Sequence, residues 1–90
     1  MSSYSPQCEN VRAFVSRLYE GRSEPLNTVL DLAGSHPETV QINVQTEANE
    51  IQSLTLVALP SDGALPLQVR KVVSDFMMNP VTSAYRHIVV

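Results

Sequence analysis

Apolar residues recur along this chain with two different periods, and the changes of period mark out its elements. Cys8, Val11, Phe14, Val15, Leu18 and Tyr19 fall at three- and four-residue spacing, with Glu9, Arg12, Ser16, Arg17 and Glu20 off that stripe. This is the pattern of an amphipathic helix. Ser5-Pro6 suits its start, because serine caps well and a proline at the first helical position lacks an N–H that would go unused. Gly21 suits its end. Ser23-Glu24-Pro25 repeats the start signal, and Leu26, Val29, Leu30 and Ala33 give a shorter stripe closed by Gly34. The spacing predicts a second helix there. Thr28, Val29 and Asp31 are mediocre helix formers, so tertiary contacts have to hold it.

The period then becomes two. In Thr39–Ala58, Val40, Ile42 and Val44 alternate with Gln41, Asn43 and Gln45. Glu47-Ala48-Asn49-Glu50 forms a polar break, and Leu54, Leu56 and Ala58 supply a second apolar row. These features predict a β-hairpin with one buried and one wet face. Pro60 and Asp62-Gly63 carry turn chemistry. A further helix is predicted from about Pro66 to Met78, with Leu65, Val69, Val72, Val73, Phe76 and Met77 on its apolar face. Asn79-Pro80 ends it, with Asn79 able to take the left-handed cap and Pro80 blocking continuation. Ser83–Val90, rich in Tyr, Ile and Val, predicts a final strand. Neither of its rows is cleanly apolar, so the face it buries is left open.

The expected architecture is one α+β domain over residues 1–90, ordered α-α-β-β-α-β. A three-stranded, mainly antiparallel sheet carries helices packed on one face. Two pairings fit the last strand. Placed beside the first hairpin strand, it gives an all-antiparallel sheet; placed beside the second, it gives a mixed one. The first is preferred, because split β-α-β units are common. The order resembles that of small α+β modules, including K-homology-like domains. The GxxG backbone clamp those domains use is absent, so the resemblance implies no function.

Composition narrows the classes. Ninety residues with 43% apolar and 17% charged positions are ordinary for a small globule. A chain this short builds a thin core, which favours oligomerisation as a supplement. The formal net charge is −3, and Arg12, Arg17, Arg22, Arg70, Lys71 and Arg86 are scattered, which argues against nucleic acid as the primary partner. Cys8 is alone, so no intrachain disulfide forms and a reducing compartment is favoured. The first residues lack the cationic and apolar regions of a signal peptide, and no apolar run is long enough to span a membrane. A cytoplasmic location is expected.

Candidate chemistry is sparse. Cys8 near a helix N-terminus would suit a reactive thiol, but a small apolar residue on the helix stripe is the favoured interpretation. His36 and His87 have no partners at metal-ligand spacing. Asp62-Gly63 lacks the glycines and following helix of a phosphate loop. No catalytic, metal or cofactor residues are therefore assigned. The stronger candidate is the wet sheet face, formed by Gln41, Asn43, Gln45 and Thr55, with Ser53, Tyr85 and His87 beside them. The last strand offers an edge for pairing with another chain. The expected function is a non-enzymatic protein-interaction module, homodimeric and accessory or regulatory. The alternative is a nucleic-acid-binding regulator using Arg12, Arg17, Arg70 and Lys71, brought together on dimerisation.

Overall fold

The computed structural model describes residues 6–20, 29–33, 38–60 and 63–90. Its elements are α1 (Pro6–Tyr19), β1 (Val29–Ala33), β2 (Thr39–Gln45), β3 (Ile51–Val57), α2 (Leu67–Met78) and β4 (His87–Val89). The α+β class holds. The sheet is four-stranded, in the order β1-β2-β3-β4. The β1–β2 and β2–β3 pairs are antiparallel, and the β3–β4 pair is parallel.

The predicted hairpin forms β2 and β3. Ile42 pairs with Leu54 and Val40 with Leu56, and all four are fully buried on one face. Removing such side chains from water stabilises the fold by about 1.5–3 kcal/mol each. The turn is closed by the Thr46 N–H donating to the Glu50 carbonyl (2.8 Å) and the Asn49 N–H donating to the Thr46 carbonyl (2.9 Å). Asn49 takes a left-handed φ of 66°, which asparagine tolerates and which three-residue hairpin loops require.

The end of β3 carries a feature that its residue types do not announce. The N–H groups of Ala58 and Leu59 both donate to the Glu38 carbonyl, at 2.6 and 3.3 Å, and Ala58 has φ 63°. Two residues opposing one, the first of them left-handed, is the geometry of a β-bulge. It turns the chain off the sheet and sends Leu59 into the core.

Both helices bury one stripe in the same core cluster. α1 contributes Cys8, Val11 and Val15, with Phe14 and Leu18 partly buried against them; α2 contributes Val69, Val72, Val73, Phe76 and Met77. These residues meet Leu32, Val40, Ile42, Val44, Leu54, Leu56 and Ile88 from a single face of the sheet. Apart from Tyr19, whose side chain lies outside the described residues, the predicted stripes of both helices are thus the ones turned to the core.

Five expectations are corrected. The described part of the predicted second helix, Val29–Ala33, is a strand paired along β2; Ser23–Thr28 and Gly34 lie outside the described residues. A five-residue segment of indifferent propensity follows whatever its neighbours offer, and β2 offered an open ladder of backbone donors and acceptors. Because β1 occupies that side of β2, the last strand pairs beside β3 and the sheet is mixed, not all-antiparallel. The predicted strand over Ser83–Val90 shrinks to His87–Val89, as described below. Asn79 ends α2 with φ −137°, not left-handed, its N–H donating to the Asp75 carbonyl. With one described helix before the sheet and three strands in succession, the resemblance to K-homology-like order also lapses. Ser5, Gly21, His36 and Asp62 lie outside the described residues.

Two stability outcomes follow. Phe76→Ala should cost about 3–5 kcal/mol in chemical denaturation, because it empties the largest fully buried site. Ala58→Gly should raise stability by about 0.5–1 kcal/mol, because glycine carries no penalty at the left-handed bulge position.

Candidate functional site

The face of the sheet opposite the helices collects the polar rows of β2 and β3. Gln41, Thr55 and His87 stand side by side across three strands. Asn43 stands between Asp31 and Ser53, and the Ser53 hydroxyl donates to Asn43 Oδ1 at 2.7 Å. Gln45 pairs with Ile51, which is exposed, and its amide bonds to the Asn49 side chain across the turn. Five of the six predicted surface residues therefore share this face: Gln41, Asn43, Gln45, Thr55 and His87. Val57 and Val89 extend it as an apolar row beside Thr39.

Tyr85 does not join them in the sheet. Residues 79–86 fold into a turn of their own. The Ser83 N–H donates to the Asn79 carbonyl (2.9 Å). Ser83 itself is buried, and its hydroxyl accepts the Tyr85 N–H (3.4 Å). The Arg86 guanidinium donates to the Val81 and Tyr85 carbonyls (3.1 and 3.4 Å) and stands 5.8 Å from the centre of the Phe76 ring. This distance allows a cation–π contact. These side-chain bonds hold the backbone out of extended geometry until His87. A propensity count over SAYRHIVV has no way to register them.

At β4 the Arg86 carbonyl accepts the Thr55 N–H (2.9 Å), and the Val90 N–H donates to the Val57 carbonyl (3.1 Å). Backbone groups alternate along a strand, so the N–H and C=O of His87 and Val89 point away from β3, towards the sheet's outer edge. Both side chains are exposed, Val89 by 68%. Ile88 is buried, which settles the face left open by the sequence.

A second surface lies on the helical layer. Phe14 and Leu18 of α1, with Arg70, Lys71, Ser74, Asp75, Met78 and Asn79, line an open trough of about 490 Å³. Arg17, exposed and one turn on from Phe14, flanks it. Arg12 lies only two positions from Phe14, on a different side of α1, close enough to Cys8 to act on its thiol. The four cations of the nucleic-acid alternative thus do not converge on one face of this chain.

Among the described residues, no group of three or more His, Cys, Asp or Glu side chains comes together as a metal site would require. Sequence reasoning passed over Gln7. It is buried, and its Oε1 has no hydrogen-bond partner among the described residues. An unsatisfied buried acceptor costs roughly 1–3 kcal/mol. Its position one turn before the Val11–Phe14 stripe was the available signal.

Cys8 is buried, and burial is the main cause that raises its thiol pKa above the ordinary 9.0; Arg12 opposes the rise, while Glu9 and Asp31 add to it. The folded pKa exceeds the unfolded one, so the stabilisation is complete below about pH 9 and is lost as pH rises through the folded value. Alkylation of Cys8 at pH 8 should therefore track global unfolding, which a pulse of iodoacetamide across a denaturant series reads directly. Rapid labelling of the native chain would contradict a buried, inert thiol. No protein-family model, curated protein or solved structure matches this chain.

Proposed function

We propose that this chain is a small non-enzymatic protein-interaction module, a homodimeric accessory or regulatory protein that pairs through the outer edge of β4. One observation carries this reading: the His87 and Val89 peptide groups point outward beside exposed side chains. An edge of this kind templates another strand.

A two-fold axis at Ile88 gives the natural register. Each His87 then faces the partner's Val89, and both such pairs exchange two backbone hydrogen bonds. Each bond contributes only about 0.5–1.5 kcal/mol net, against an association cost of roughly 4–15 kcal/mol. Apolar contact from Val89 has to supplement them, so a micromolar rather than a nanomolar dimer is expected.

The nucleic-acid alternative has less support. Arg70 and Lys71 line one trough, but Arg12 lies apart from it.

Gel filtration with light scattering tests the dimer. The chain should run as a dimer at micromolar concentrations and above. Val89→Pro should shift it to monomer with an unchanged circular-dichroism spectrum, because the Val89 N–H is not directed at β3 and edge strands tolerate proline. A monomer throughout that range sinks the reading.

A further inference from the structure

We propose that the trough between α1 and α2 docks an acidic amphipathic segment of a partner protein. The site is separate from the β4 edge, so it serves a monomer as well as a dimer.

Its floor is apolar. Phe14 and Leu18 are only partly buried, and Met78 is 43% exposed. The α1 stripe thus continues past what the core covers. A thioether beside an aromatic ring accommodates varied apolar side chains. The space, about 490 Å³, falls in the ordinary range of about 300–1,000 Å³ for binding clefts. It is open along its outer side, which suits the side chains of a laid-on segment better than an enclosed small molecule.

Its rim is basic. Arg70 and Lys71 face the trough against the single acid Asp75, and Arg17 stands on the α1 side. Arg17, Arg70 and Lys71 have no ion-pair partner among the described residues. The whole chain carries −3, so this patch reverses the local sign. Glu9 falls on another side of α1 by helical spacing. Glu20, one turn on from Arg17, offsets one rim charge and still leaves Arg17, Arg70 and Lys71 against two acids, Asp75 and Glu20. Basic flanks around an apolar floor complement a helix whose apolar stripe is bordered by Asp and Glu.

Nucleic acid fits less well. Two or three cations neutralise few phosphates. The lone trough aromatic, Phe14, is half turned into the core and offers little stacking surface.

The probe is a fluorescein-labelled peptide with leucines at three- and four-residue spacing and glutamates between them, read by anisotropy against the full chain. It should bind, and more weakly as salt rises. The same peptide with lysines for glutamates should not bind. The double variant Arg70→Glu, Lys71→Glu alters only exposed side chains and should weaken binding roughly tenfold or more. Met78→Asp, also exposed, should weaken it without changing the circular-dichroism spectrum. Equal binding of the two peptides, indifference to the double variant, or no binding of the glutamate peptide overturns the proposal. So does salt-sensitive binding of labelled single-stranded RNA or DNA in its place. None of these outcomes depends on whether the chain is a dimer.

Discussion

Water has to be kept from Val40, Ile42 and Val44, and the rest of the fold is arranged to do it. These three β2 residues share one face of a strand hydrogen-bonded on both sides. Alternation along β2 forces Gln41, Asn43 and Gln45 to the opposite face. The helices can therefore cover only one side of the sheet, and both do. β3 repeats the division with Leu54 and Leu56, in register with β2. A one-residue slip would turn the whole apolar row into water, so the pairing is strongly specified.

From that constraint follows which surfaces remain for function. The core uses the inner face of the sheet and one stripe of each helix. It leaves the polar face of β2 and β3, the outer edge of β4, and the flank of α1 where Phe14 and Leu18 run past the core. The bulge at Ala58 and Leu59 and the Arg86 clasp over Phe76 set where the crossover leaves and returns. Together they deliver a short parallel strand to the free side of β3. The edge is a by-product of that route.

The two proposed surfaces differ in physical character. The β4 edge offers directional backbone hydrogen bonds and little area, so its natural occupant is another strand. The α1–α2 trough offers apolar area rimmed by cations, so its natural occupant is a helix of opposite charge. They lie on different layers of the molecule and can be filled independently.

The sequence by itself determined the elements whose periodicity was long and consistent. α1, the β2–β3 hairpin with its turn, and α2 with its buried stripe were legible because each pattern repeats often enough to exclude the other period. Gln41, Asn43, Gln45 and Thr55 were legible as the wet face for the same reason. The tertiary structure alone decided the rest. Val29–Ala33 is too short to fix its own period, and became a strand because β2 had an unpaired ladder to satisfy. That pairing in turn moved the last strand beside β3. Tyr85 left the sheet because Ser83 and Arg86 bond to local backbone, and the Arg70–Lys71 trough exists only where two helices distant in sequence meet. Periodicity records which face a residue buries; it carries no information about which neighbour will be there to pair with it.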